Sequence, residues 1–170
     1  MSLINELIDE MKTTWGAPNI ALHRGREIPF KLQCFFNQGV SKNKFNNVEF
    51  DLPSDIKEFF RNTDGATLFK DEEFGQWGLD ILNLNESFRK TEVYLSERNR
   101  DSLNGDFIIG EFIGDSDLLL LRCDPSNDDF GMVVVVSAIE PRVEWDIVAK
   151  TFENFLSEYY KYQGDKYWEN

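Results

Sequence analysis

Carboxylates dominate the side chains of this sequence that could do chemistry, and three clusters of them stand out. Asp71-Glu72-Glu73 forms one, Asp115-Ser116-Asp117 follows Gly114, and residues 124–129 read Asp-Pro-Ser-Asn-Asp-Asp. Such oxygen-rich clusters suit either a hard cation or a basic protein surface. The two later clusters lack EF-hand spacing, because the glycine and the terminal glutamate fall out of place. Two distant carboxylates acting as acid and base need no local motif, so a cryptic carboxylate enzyme stays open on spacing alone. Other reactive residues argue against catalysis. His23 is the single histidine, and no Gly-x-Ser-x-Gly turn accompanies it to build a nucleophilic triad. It is expected to be a surface or loop histidine. Cys34 and Cys123, with one histidine, give no zinc-ligand spacing, and the two thiols are expected to be free and buried. Neither a P-loop lysine motif nor a Gly-x-Gly-x-x-Gly run is present to cradle phosphate. The expectation is a chain that is not an enzyme and carries no metal and no cofactor. Its aspartates cap turns, and some meet a partner.

The charge distribution sharpens this. Formal net charge is −13. Residues 1–50 carry five acids and six Lys or Arg, whereas residues 51–170 carry 26 acids and 12 bases. A field of that sign repels nucleic acid and anionic lipid, which need Lys and Arg for neutralisation. It speeds encounter with a basic protein and also keeps the chain in solution. Direct nucleic-acid and membrane partners are therefore not expected.

Several elements must position these groups. The spacing of Leu3, Leu7, Ile8 and Met11 predicts a helix over 3–15, stopped at Gly16-Pro18. Short strand-like pieces around Ile28 to Phe36 and a polar loop, 37–47, follow. Pro53 suits a first helical position, Leu52, Ile56, Phe59 and Phe60 make one apolar stripe, and Asp64-Gly65 is read as the helix stop. Ala66 to Phe69 reads as a strand, Lys70 to Glu73 as a charged turn, and Phe74 to Leu82 as a second strand. Gly75 and Gly78 flank Trp77, which predicts backbone passing close to a large ring. Phe59, Phe60, Phe69, Phe74 and Trp77 are expected in the core. A helix over 85–100 precedes three strands, 107–113, 118–123 and 132–137, and a last helix is predicted over 147–162 with Gly164 beyond it. The fold class is α+β: one domain over 1–170, a mainly antiparallel sheet packed with N-terminal, central and C-terminal helices. Apolar content of 41% and fifteen phenylalanines support a packed core. The longest apolar runs, 118–121 and 132–136, are strand-sized rather than membrane-spanning. No basic, then apolar, leader opens the sequence, so a cytoplasmic location is expected.

The order of these motifs resembles the SUKH superfamily, which includes fungal cell-wall-assembly regulators and many bacterial immunity proteins. The resemblance rests on Leu52-Pro53 before a helix, Asp64-Gly65 after it, and Trp77-Gly78 ending the aromatic strand. Asn85 to Arg100 resembles the family's central helix, Phe112 to Asp117 its glycine-aspartate turn, Met132 to Val136 its late strand, and Ala149 to Leu156 its closing helix. It covers about residues 50–160. Asp64 stands where the family usually has asparagine, and residues 16–50 are longer and less regular than the family pattern. The resemblance implies an immunity protein that binds and neutralises a cognate toxin domain, often a nuclease. The fungal members imply the alternative, a regulatory scaffold, although those proteins usually carry long disordered extensions. Charge mimicry supplies a mechanism, since a nuclease cleft is basic and an acidic face can fill it. The residues expected on that face are Asp71, Glu72, Glu73, Asp115, Asp117, Asp128 and Asp129, with Trp77 either core or an aromatic anchor.

Overall fold

The computed structural model describes residues 2–46, 48 and 51–169. Among these, one eight-stranded sheet runs in sequence order, every neighbouring pair antiparallel. Its strands are β1 (Asn19–His23), β2 (Arg26–Phe36), β3 (Ala66–Asp71), β4 (Leu79–Ile81), β5 (Asp106–Phe112), β6 (Leu118–Arg122), β7 (Val133–Val136) and β8 (Asp146–Ala149). Helices α1 (Leu3–Trp15), α2 (Ser54–Asn62) and α4 (Phe152–Lys161) pack on one another, and α3 (Leu84–Glu97) lies along β5. The fold is α+β.

Alternation along the central strands explains the two layers. Phe107 and Ile109, Leu119 and Leu121, and Val133 and Val135 point into the large core under α1, α2 and α4. Ile108, Leu120, Val134 and Val136 point the other way, where Tyr94 of α3 and Trp145 cover them. These strands are buried on both faces, so they read as continuous apolar runs rather than as alternating ones. On the helical side, Ile4, Leu7, Ile8, Met11 and Trp15 form the inward stripe of α1, whose Ser2 hydroxyl accepts from the Asn5 N–H at 3.3 Å. Edge-to-face contacts of Phe59 with Phe152 (5.1 Å) and of Phe69 with Trp15 (5.1 Å) join α2, α4, β3 and α1. Among the described residues no helix is long and apolar enough to cross a membrane.

Several expectations need correcting. The strand-like pieces of the N-terminal region form a full hairpin, β1 with β2, and its polar loop holds a short 3-10 turn, Lys42–Phe45; Asn47 of that loop lies outside the described residues. Pro53 precedes the first helical residue of α2 in extended conformation. The end of α2 is Thr63, also extended, and Gly65 serves the following turn, where a Cβ would sit 2.9 Å from Asn83 N and Ile81 O. The second aromatic strand shrinks to Leu79–Ile81. Residues 147–149 are not the start of the last helix. Ile147 pairs with Val134 across the sheet, and the Thr151 hydroxyl caps α4 by accepting from Asn154 N–H at 3.0 Å. Phe59, Phe60 and Phe69 are buried, but Phe74 is 61% exposed on its turn and Trp77 is half-buried. Cys34 and Cys123 are free and buried.

Candidate protein-binding end of the sheet

Strand alternation decides which loops share an end. With β3, β5 and β7 running one way and β4, β6 and β8 the other, residues 72–78, 113–117 and the start of the 137–145 connection gather at one end of the sheet, while Arg142 of that connection reaches Asp106 at the start of β5. The β6–β7 connection, 123–132, lies at the opposite end. Asp128 and Asp129 are therefore separated from the other predicted acids by the length of the strands. Asp129 is further committed, its carboxylate accepting from Arg122 Nε at 2.8 Å. Asp124, in the same connection, accepts from the Ser126 N–H (3.0 Å), the Ser126 hydroxyl (2.7 Å) and the Asn127 amide (2.7 Å). Asp124 thus closes the turn on itself, whereas Asp129 Oδ1 is buried without a hydrogen-bond partner. Among the described residues no three His, Cys, Asp or Glu side chains converge as a cation site.

At the shared end, the two turns that carry the remaining predicted acids touch. A Cβ on Gly114 would stand 2.0 Å from Gln76 O, and Ile113 N–H donates to Gly78 O at 2.9 Å. Gly78 takes a positive φ of 133°, and a Cβ there would meet Lys70 Cα at 3.0 Å, so the close backbone approach expected beside Trp77 is real. Asp71 is not on the surface. Its buried carboxylate accepts from the N–H groups of Glu73 (2.9 Å), Phe74 (3.0 Å) and Gln76 (3.4 Å), which shapes the turn and leaves nothing for a partner. Glu72 and Glu73 do reach solvent, with Lys70 Nζ 3.8 Å from Glu72. They border a groove of about 390 Å3 whose apolar side is Ile20, Pro29 and Phe30. Asp115 is exposed and pairs with Lys166. Asp117 is half-buried and accepts from Ala138 N–H at 3.1 Å.

Trp77 is a tie rather than a free anchor. Its indole N–H donates to Gly164 O at 3.0 Å, with the Lys166 ammonium 5.5 Å from its ring and the His23 ring 5.6 Å away. His23 is half-buried and not a loop residue. It ends β1, with Nε2 2.9 Å from Gln163 O and Nδ1 4.0 Å from the Asp165 carboxylate. The segment after α4 thus straps the turns of this end together.

The sequence reading missed a buried ionic cluster under α3 at the opposite end of β5 and β6, where Asp106 and Arg122 pair. Asp106 receives Arg122 Nη1 (2.7 Å), Arg142 Nη1 (2.7 Å) and Nη2 (3.0 Å), the Tyr94 hydroxyl (2.6 Å) and the Leu103 N–H (2.9 Å). Burial pushes its carboxyl pKa up, but Arg142, the Leu103 N–H and Tyr94 outweigh burial and hold it below the ordinary carboxylate value. Burial first, and then the neighbouring Asp106 charge, push the Tyr94 phenol up. Both oxygens of Asp106 are spoken for, so it fixes geometry. A signal was present: Asp106 opens one apolar strand, Arg122 closes another, and the two are register partners.

The end of the sheet formed by residues 72–78 and 113–117 thus carries exposed carboxylates on turns that backbone contacts hold together. Compared with curated proteins, the chain finds no match. Residues 44–158, more than half of its length, match the sequence model of the SMI1 / KNR4 family (SUKH-1), and the chain belongs to that family.

Proposed function

We propose that this SUKH-1 chain is a non-catalytic immunity protein of the cytoplasm that neutralises a basic toxin domain by occupying its active cleft. The observation that carries the reading is the joined pair of turns at one end of the sheet, which presents Glu72 and Glu73 beside exposed Asp115, itself paired with Lys166. A nuclease is the expected toxin class, because its phosphate-binding cleft is cationic and complementary to such a surface. Asp71 and Trp77 serve by shaping and tying the turn, and Asp117 by holding the next loop; Asp128 and Asp129 stand apart from this face.

The test is co-expression with each toxin-like C-terminal domain found among the products of neighbouring genes, scoring cell survival and complex formation. Rescue with a salt-sensitive complex is the expected result. The double substitution Glu72→Lys, Glu73→Lys should weaken that complex about tenfold, mainly through slower association. Unchanged affinity removes this turn from the interface. Neither rescue nor complex across the neighbouring candidates transfers the weight to a regulatory scaffold.

A further inference from the structure

We propose that the segment Ile139 to Ile147 is a preformed docking knuckle, which seats aliphatic side chains in an apolar pocket of a basic protein domain. This rests on the binding reading above and adds the group that anchors it. Three large aliphatics of the segment face solvent: Ile139 is 89% exposed, Val143 85% and Ile147 66%. Single exposed aliphatics are ordinary. These three sit on one short stretch that the fold holds from several sides.

Arg98, the residue that follows α3, donates to the carbonyls of Ser137 (2.9 Å) and Glu140 (2.8 Å), and Arg142 donates to Asp106 and to Asp101 O (3.0 Å). The Ser137 hydroxyl oxygen accepts from Ile139 N–H (3.3 Å) and Glu140 N–H (3.1 Å), which closes the first turn. Trp145 donates its indole N–H to Glu140 O at 2.9 Å, with the Arg98 and Arg142 guanidinium carbons 5.2 and 5.3 Å from its ring centre. The buried cluster around Asp106 is thus spent on fixing this loop. A loop already ordered when free loses little conformational entropy on docking, which favours its use in binding.

Charge selects the occupant. Arg98 and Arg142 are turned to internal partners, whereas Glu140, Glu144 and Asp146 are exposed among the aliphatics. The knuckle therefore offers apolar contact with an acidic fringe. A second copy of this face, on a chain of net charge −13, would set those acids against one another. A pocket rimmed with Lys and Arg matches both features. The bond from Ala138 N–H to Asp117 joins the start of the knuckle to the turn of Asp115, beside the end that carries Glu72 and Glu73, and from there the segment runs back to Arg142 on Asp106.

The experiment uses the full chain and the purified toxin-like domains that neighbouring genes are found to encode, with association and dissociation rates read at two salt concentrations. Ile139→Ser with Val143→Ser alters only exposed side chains, and an unchanged melting temperature verifies the fold. The expected result is about tenfold weaker binding through faster dissociation, with the salt dependence kept. Glu72→Lys with Glu73→Lys should instead slow association and flatten the salt dependence. Wild-type affinity in the serine pair overturns the docking inference and leaves the binding function standing. Absence of a complex with the wild-type chain overturns both. A dimer of this chain that the serine pair dissolves assigns the knuckle to a second copy and overturns the basic partner.

Discussion

Asp106 shows how much one side chain decides. It is buried at the start of β5, and two guanidiniums, a phenol and a backbone N–H converge on it. Asp106→Asn keeps the shape but strips the charge that compensates Arg122 and Arg142, so a loss of about 3 kcal/mol is expected. The sign of its pH dependence follows from the depressed pKa. The folded state binds the Asp106 proton more weakly than the unfolded chain, whose reference value is 3.8. The stabilisation is therefore complete above that value and fades as pH falls through the lower folded one. Urea unfolding of both proteins between pH 7 and pH 2.5 should show the gap begin to narrow below 3.8; a constant gap would assign the loss to something other than charge. The thiols give a second residue-level test. Burial pushes Cys34 up to about 12 and Cys123 higher still. Neither should react with iodoacetamide at pH 8 in the native protein, and both should react once urea unfolds it. Fast labelling of the native chain would mean that β2 or the end of β6 opens readily.

At the scale of elements, the contact between two turns builds the candidate face, and Gly114 is where it can be broken. Gly114→Ala would place a methyl 2.0 Å from Gln76 O at a φ of 94°, so the backbone must move. A cost of about 1–3 kcal/mol is expected, together with weaker partner binding, because Glu72 and Asp115 would no longer be held in one arrangement. A melting curve and a binding titration read the two effects separately; unaltered binding in the variant would show that the turns act independently. Much of this frame was legible from local pattern. The stripe of α1 and the apolar runs of β6 and β7 lie where the structure has them, and the family resemblance holds. Trp77-Gly78, however, precedes β4 rather than ending a strand, and the closing helix starts only at Phe152. What failed was decided by distant partners. Ile147 and Val148 fall at helical spacing with Phe152 and Phe155, and only pairing to β7 makes them a strand. Phe74 looked like core because aromatics surround it in sequence, yet the three amides gathered by Asp71 turn it outward. The same gathering buries Asp71 itself. Asp128 and Asp129 were grouped with the other acids by composition, whereas counting strand reversals puts them at the far end. Asp106 and Arg122 were passed over because their meaning lies in a cross-strand register, which spacing along the chain does not display.

For the whole molecule, the charge imbalance has two consequences of opposite sign. Residues 51–170 hold 26 acids against 12 bases, and the sheet ends gather part of this excess into turns such as 72–73. Like charges at that density repel within the folded chain, and added salt screens the repulsion over about 10 Å at 0.1 M. The free protein should therefore gain stability between 50 and 500 mM NaCl, by a few degrees in melting temperature. Attraction to a cationic partner is screened by the same ions, so association should slow about tenfold or more over that range while dissociation changes little. The buried pairs around Asp106 are shielded from solvent and should feel neither effect strongly, so Asp106→Asn should cost nearly the same at both salt concentrations. Differential scanning calorimetry and stopped-flow mixing measure the two trends on one preparation. Melting that rises with salt while association falls places the acidity at work on the surface, in solubility and in encounter. A complex whose association rate ignores salt would instead leave recognition to shape and apolar contact, with the knuckle at Ile139 to Ile147 as its main anchor.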